Sequence, residues 1–294
     1  MTDVLYTQTF SDSLEMLSQQ KKSKFKQFCY MDNVGAGQEA HRMLSQISET
    51  GVSKRTQRAE NIDNSTIIYD GRWVYPETWH QDTVVDSIDL LRTSINPTGM
   101  IVNSFVASLN RQADDDFLSA FYGDAKTGKS GNTTTIFDSN QVVAVTEGVG
   151  SATGLNVAKF RELRKILQDN DVDLDFEQAY LAISPQQYKD LTGITEVTSS
   201  DFTASKPLQT GELASFLGVG IIVSTRLPVD SNGYRRCPFW VQSGMGCTSW
   251  GDITASVRNN PSMKGNPWIV EAEMSLGFTR LEEAKCGEVK CSEA

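Results

Sequence analysis

Two short apolar runs, separated by a polar segment, constrain the fold more than any other part of the chain. The first run, residues 180–183, ends at Ser184-Pro185, and Pro at the first helical position is typical of a strand that gives way to a helix. The second run, residues 216–224, is rich in β-branched residues and contains a Gly-x-Gly pattern, which favours a strand that another backbone approaches closely. The sequence therefore predicts an α/β region here, with no convincing nucleophile, base or metal ligand.

Composition and charge limit the classes of function. The chain has 294 residues, of which 39% are hydrophobic, and this is typical of one or two globular domains. Its net charge of −10 argues against a protein that grips nucleic acid over a broad basic face. No apolar run approaches the roughly 20 residues that cross a bilayer, and the N-terminus shows no secretory signal. We therefore expect no membrane association and synthesis in the cytoplasm.

The cysteines do not form a recognisable metal-binding pattern. Five cysteines are irregularly spaced without a Cys-x-x-Cys pair, and only two histidines are available to join them. We expect free thiols in a reducing compartment, with no metal, no cofactor and no catalytic residue. A structural zinc site is the less favoured alternative. The residues concerned are Cys29, Cys237, Cys247, Cys286, Cys291, His41 and His80.

The first 86 residues show little of the pattern expected for a core. A basic run from Lys21 to Lys26 predicts either a solvated face or an arm that lies on a neighbouring subunit or on enclosed DNA. Residues 51–64 are polar and strongly charged, and strand-like pieces flank Asp70-Gly71, which predicts a tight turn. A long polar loop of this kind typically serves binding rather than core formation, and we call residues 48–86 the charged excursion.

Helical periodicity is strongest in residues 98–122, where apolar residues recur at helical spacing. Three aspartates at 114–116 interrupt this pattern. We interpret them as a solvated face, because three adjacent residues spread around a helix. A second amphipathic helix is predicted for residues 155–168, with Asn156 as its N-cap. Two closing strands are predicted near the C-terminus, at residues 268–274 and 286–291.

Residues 123–130 match the phosphate-binding pattern G-x-x-x-x-G-K-S/T. That motif needs a buried strand before it and a helix after it, because the helix N-terminus supplies much of the field that holds phosphate. Here a predicted helix comes first, and the sequence from Gly131 is a poor helix start. A phosphate-loop NTPase therefore stays only an alternative, which an unchanged nucleotide-binding signal on Lys129→Ala would dismiss.

Several short motifs occur in an order that is similar to one known family. They are WVYP at 73–76, RQADD at 111–115, FYG at 121–123, ISPQQY at 183–188, FLGV at 216–219, LPV at 227–229, GYRR at 233–236, EE at 282–283 and VKC at 289–291. With them, the chain resembles the major capsid proteins of tailed double-stranded DNA bacteriophages. The resemblance implies an α+β fold of the Hong Kong 97 type. The implied parts are an N-terminal arm (1–47), an extended β loop (48–84), a peripheral domain with a long spine helix (85–150), an axial α/β domain (151–261) and closing strands of the peripheral domain (262–294).

The resemblance also implies a function in assembly rather than catalysis. The chain is expected to be a structural major capsid protein that self-assembles, as pentamers and hexamers, into the icosahedral shell of a virion. The shell would enclose double-stranded DNA without sequence-specific binding. Expected partners are a portal, a separate scaffolding protein and a decoration protein. An encapsulin-like nanocompartment shell, which encloses cargo enzymes, is the alternative within the same fold.

The charged excursion supplies the candidate contact residues. By the resemblance, Lys54, Arg55, Arg58 and Arg72 would meet acidic side chains of neighbouring subunits, and Glu60 belongs to the same inter-subunit contact. Each exposed ion pair contributes only roughly 0–1 kcal/mol, so these contacts would hold a shell through repetition and through accompanying apolar contact. Some relatives crosslink a loop lysine placed as Lys54 is, but no crosslinking partner is evident here and we expect none.

Overall fold

The computed structural model describes residues 16–34, 38–47, 52, 54, 67, 69–86, 98–194 and 214–293. The chain divides into two units. The first unit comprises Met1–Ser23, Glu77–Ala113 and Gly251–Leu276, and the second comprises Lys24–Pro76, Asp114–Trp250 and Gly277–Ala294. Within the described ranges, no helix combines the length and the apolarity that a membrane crossing requires.

Helices and strands are mixed along the chain, as the α+β prediction expects. The helices are α1 (Thr98–Tyr122), α2 (Val157–Asp169) and α3 (Pro185–Thr192). The strands are β1 (Tyr30–Asn33), β2 (His41–Ile47), β3 (Tyr69–Val74), β4 (Glu77–Val85), β5 (Ala125–Thr127), β6 (Thr133–Thr135), β7 (Val142–Val143), β8 (Ala179–Ile183), β9 (Ser215–Phe216), β10 (Val219–Val223), β11 (Arg235–Val241), β12 (Met245–Asn259), β13 (Trp268–Arg280) and β14 (Cys286–Cys291). The sheets have the strand orders β1-β12-β13-β4, β7-β14-β11-β8-β10-β9 and β2-β3-β5-β6.

In the first unit, β4 pairs antiparallel with β13, from Trp268 opposite Val85 to Leu276 opposite Glu77. Alternate side chains of β13 are buried, which is the two-residue period of a strand with one covered face. Gln19 lies beside α1 in this unit, since its side chain accepts from the guanidinium of Arg111 at 2.6 Å. Strands are present at both predicted positions, 268–274 and 286–291, and the first extends to residue 280, but the two strands lie in different sheets. Their role in closing a peripheral domain stays a prediction.

The largest sheet of the second unit contains the α/β region that the first apolar run predicts. Strand β8 ends at Ile183, and α3 begins at Pro185 after a capping box. The hydroxyl of Ser184 accepts from the N–H of Gln186 at 3.2 Å, and the side chain of Gln187 accepts from the N–H of Ser184 at 2.7 Å. These bonds satisfy amides that the first helical turn leaves unpaired. The prediction of a strand that gives way to a helix is confirmed.

The second apolar run is not one strand, which corrects the sequence interpretation. Leu217 and Gly218 have φ of 48° and 77° and form the tight turn between β9 and β10. Gly218 supplies the left-handed backbone that this turn requires. Gly220 lies against the ring of Tyr180, where an added Cβ would come within 2.8 Å of Cδ1. The Gly-x-Gly pattern therefore marks a turn and a close side-chain contact.

Aromatic side chains form the centre of the core of the second unit. Phe25 stacks on Phe117 with ring centroids 4.9 Å apart, and Trp240 lies 4.9 Å from Phe117. The indole N–H of Trp240 donates to the carbonyl of Phe28 at 2.9 Å. Because each such ring buries roughly 150–250 Å² of surface, this cluster accounts for much of the burial around residues 24–29.

Asp114 lies inside this core, so its interpretation as part of a solvated face is wrong. Its carboxylate is fully buried and accepts from the N–H groups of Lys24 at 3.0 Å and Phe25 at 3.3 Å. Asp115 forms an ion pair with Arg226. Helical periodicity could not reveal these partners, because they belong to segments far away in the sequence. The predicted N-cap at Asn156 is confirmed, since its side chain accepts from the N–H of Lys159 at 2.8 Å.

The C-terminal segment is tied to the same sheet through Glu293. Its carboxylate accepts from the guanidinium of Arg235 at 2.6 Å, from the hydroxyl of Ser184 at 2.6 Å and from the amide of Gln187 at 2.8 Å. The hydrogen bond from Arg235 is the main cause that lowers the pKa of Glu293 from 4.5 to about 2. The ionised carboxylate is therefore the form that the folded chain stabilises.

We predict that Glu293→Gln lowers the free energy of unfolding by roughly 1–2 kcal/mol at pH 7. A depressed pKa gives stability that is complete above the unfolded value of 4.5 and is lost as the pH falls towards 2. The difference between variant and parent should therefore shrink between pH 5 and pH 2, as measured by urea denaturation of the unassembled protein. Glu273→Gln, at an exposed position, is the control; an equal loss for both variants would contradict the prediction.

Candidate assembly surfaces

The charged excursion leaves the second unit on a two-stranded stem. Strands β2 and β3 pair antiparallel from His41 opposite Val74 to Ile47 opposite Tyr69, with a bulge between Arg42 and Leu44. Strand β3 also pairs with β5, so the stem is continuous with the four-stranded sheet of this unit. Residues 48–68 connect the two strands beyond the last pair.

Apolar side chains are exposed at the far end of the stem. Ile47 and Tyr69 face each other across the last strand pair, and they are 62% and 66% exposed. Val52 and Ile67, beyond this pair, are also exposed. Exposed apolar clusters of this kind mark contact surfaces, because water is an unfavourable environment for them. The stem therefore carries an apolar component that the pattern of charge alone does not reveal.

The structure places the predicted contact residues in different environments. Lys54 is exposed, as an intermolecular contact requires, while Arg55, Arg58 and Glu60 lie outside the described residues. Arg72 is buried on β3, and its Nε donates to the carbonyl of Leu281 at 2.9 Å. The structure thus gives Arg72 partners within its own chain, and its position lends no support to the predicted contact with a neighbour. The inter-subunit role of all five residues stays a prediction.

Polar side chains anchor the stem to the residues that follow β13. The carbonyl of Leu281 accepts from Arg72 and also from the side chain of Gln46 at 2.7 Å, so both strands of the stem bind one acceptor. Nη1 of Arg72 lies 3.9 Å from Oε1 of Glu283, and the other oxygen of Glu283 accepts from Nε of Arg280 at 2.7 Å. Glu283 therefore stands between two arginines, one on the stem and one in the core.

Arg280 is fully buried and makes the densest set of bonds in this region. Its guanidinium donates to the carbonyls of Ala120, Phe121, Gly123 and Thr135 at 3.2, 2.5, 2.5 and 3.1 Å. Three of these carbonyls lie at the C-terminal end of α1, where carbonyl groups lack helical partners and the helix dipole favours a positive charge. The only sequence signal for Arg280 is a charge at the end of an apolar strand.

Asp70 and Gly71 lie inside β3, so the predicted tight turn is wrong. Gly71 pairs with Ser45 within the continuous strand, and an added Cβ would come within 2.2 Å of Nε of Arg42. Glycine is needed here because the side chain of Arg42 crosses the strand at this position, and not because the chain turns. The carboxylate of Asp70 accepts from the N–H of Gly71 at 2.8 Å and from that of Gly128 at 2.9 Å.

Residues 123–130 do not have the surroundings of a phosphate loop. They follow α1, contain β5 and lead to β6, which pairs antiparallel with β5, so neither the strand before the motif nor the helix after it is present. The N–H of Gly128 donates to the carboxylate of Asp70, a negative charge placed where a phosphate would have to lie. The five cysteines are buried free thiols, and no group of three or more potential ligands among the described residues is arranged to hold a metal ion.

The family model described as phage capsid protein matches residues 3–293, nearly the whole chain. This chain belongs to the phage capsid protein family. Its role is therefore structural, and the match gives no support to the nanocompartment or NTPase alternatives. No curated protein sequence matches the chain.

Solved structures show the fold of this capsid protein. The capsid structure of cyanophage P-SCSP1u matches with a TM-score of 0.77 at 13% identity, covering 99% of this chain and 94% of that one. The capsid protein of cyanophage Pam1 matches with a TM-score of 0.76 at 11% identity, covering 100% and 99%. Mycobacterium phage Che8 gives 0.67 at 12% identity, covering 98% of each chain. The Hong Kong 97 type fold is confirmed, whereas the predicted five-part division of the chain stays a prediction.

We predict that Arg280→Met destabilises the capsid protein by about 3–5 kcal/mol, because it leaves Glu283 and several buried carbonyls without their donor. The matched control is Arg258→Met, which removes an exposed ion pair with Glu271 and should cost about 0–1 kcal/mol. Urea denaturation of the unassembled protein measures both values. A loss for Arg280→Met no larger than that of the control would show that its network contributes little.

Proposed function

We propose that this protein is the major capsid protein of a tailed phage, and that its copies form pentamers and hexamers of an icosahedral shell around double-stranded DNA. The match of the family model to residues 3–293 carries this proposal. The exposed apolar pair at the end of the stem supports it, because such a surface needs a partner that a single chain does not supply. The net charge of −10 fits a wall that contains DNA without gripping it.

We also propose partner proteins for the shell and a location for the protein. A shell with a DNA entrance requires a portal, and we propose a separate scaffolding protein to guide curvature and a decoration protein on the outer surface. The site of action is the virion, after synthesis in the host cytoplasm. We propose no catalytic activity, since the role rests on packing between identical chains.

The test is electron microscopy of the expressed protein together with a size measurement. Closed icosahedral particles, pentamers, hexamers or open sheets are the expected result, and the contents of closed particles separate a virus shell from a cargo compartment. A monomer that persists at high concentration would contradict the proposal.

We predict that reversing the charges of the excursion, with Lys54→Glu, Arg55→Glu and Arg58→Glu together, strongly lowers the yield of shells. Each exposed pair contributes roughly 0–1 kcal/mol, but the same pairs recur at every interface of a shell. The matched control reverses three cations elsewhere in the chain, the exposed Lys126, Lys129 and Lys189. Shells of the excursion variant at normal yield, counted by sedimentation and microscopy, would show that these cations make no essential contact.

A further inference from the structure

Phe176 is held in solvent by an ordered loop between α2 and β8. The side chain is 89% exposed, although its neighbours Val172 and Leu174 turn towards the core. The carboxylate of Asp173 accepts from the N–H of Asp175 at 3.1 Å, and its carbonyl accepts from the N–H of Glu177 at 3.1 Å. The ring is therefore exposed by a defined backbone, and not through lack of structure.

The end of this loop is fixed by a second set of contacts. The carboxylate of Glu177 accepts from the hydroxyl of Ser243 and lies 3.5 Å from Nζ of Lys285. Ser243 lies just after the end of β11, and Lys285 lies just before the start of β14. The loop thus presents Phe176 from a rigid base, which lowers the entropy lost when the ring becomes buried against a partner.

Leu217 is a second apolar side chain in a position that folding alone does not favour. It has φ of 48° in the turn between β9 and β10, where Gly or Asn is normally preferred, and it is 39% exposed. Its carbonyl accepts from the guanidinium of Arg164 at 2.7 Å, which holds the turn against α2. A strained backbone with an exposed leucine indicates a role outside the fold of the single chain.

Phe176 and Leu217 lie at the same end of the large sheet, and we call this end the rim. Strands β8 and β10 are parallel neighbours, and Ala179 pairs with Val219, so the loop with Phe176 and the turn with Leu217 enter the sheet at the same end. The charges on the two flanks are opposite. The loop carries the exposed aspartates Asp171, Asp173 and Asp175, whereas α2 carries the exposed Arg161 and, one turn further along the helix, Arg164, which is bonded to the turn.

We propose that this rim is a contact between copies of the chain, in which Phe176 and the acidic loop of one copy pack against Leu217 and the arginines of the next. The chain itself supplies both complementary halves, and a surface of this kind repeats naturally when identical copies assemble. A second copy is therefore the occupant that the charges favour. The inference rests on the proposed shell function, and it specifies one contact that forms the shell.

The first test is Phe176→Ser compared with Val149→Ser, an exposed apolar residue of the same unit at 66% exposure. Both variants should unfold at the same urea concentration as the parent, because neither side chain is buried. We expect the shell yield of Phe176→Ser to fall at least about tenfold, the factor that 1.4 kcal/mol gives in an equilibrium constant. Equal yields for the two variants would overturn the inference while leaving the shell function intact, provided that the parent forms shells.

A charge exchange tests the pairing itself. Asp175→Arg and Arg161→Asp each place like charges opposite each other, so each single variant should assemble poorly. The double variant restores opposite charges and should recover most of the parental yield of shells. A double variant that assembles no better than the worse single variant would overturn the pairing, and failure of the parent to form any oligomer would overturn the shell function as well.

Discussion

The buried guanidinium of Arg280 is the interaction on which the second unit most depends. A cation in an apolar core is stable only if its donors are satisfied, and here four carbonyls and the carboxylate of Glu283 satisfy them. The arrangement closes the C-terminal end of α1 and fixes the chain that follows it. Through Glu283 and the carbonyl of Leu281 it also reaches Arg72 and Gln46, which anchor the stem to the second unit. One buried charge therefore organises both the core and the origin of the excursion.

Asp114 has a similar function for the N-terminal segment. Its carboxylate receives two backbone N–H groups, and Phe25 then packs into the aromatic cluster of the core. Hydrogen bonds of this kind are directional, so they fix residues 24 and 25 in one position. Apolar contacts alone would allow several positions. In a capsid protein, identical copies must present the same surfaces, and buried directional contacts within each subunit meet that requirement.

The sequence predicts the local structure well where the signal is local. The cap at Asn156, the strand and helix on either side of Ser184 and the extent of α1 all follow from neighbouring residues. It fails where the partner is distant in the chain. Gly71 is explained by the side chain of Arg42, and Asp114 by the backbone of residue 24, and neither contact leaves a mark on local periodicity.

The contact surface was predictable only in part, for the same reason. Charge and polarity pointed to the excursion, but they gave no sign that Arg72 is bonded inside its own chain or that Ile47 and Tyr69 stand opposite each other in solvent. These facts depend on which residues of neighbouring strands pair with each other, and local sequence patterns do not determine this pairing. The family resemblance predicted the type of fold correctly because it draws on the order of many weak motifs at once.

Hydrogen exchange on the unassembled protein and on assembled particles tests the central claim most directly. The claim is that the core of each subunit is complete before assembly, whereas the stem of the excursion is completed by neighbouring copies. We predict slow exchange in both samples for the amides of β8, β11 and β14, and protection of β2 and β3 that rises on assembly. Protection of β8, β11 and β14 that appears only in particles, or unchanged protection of β2 and β3, would contradict this account.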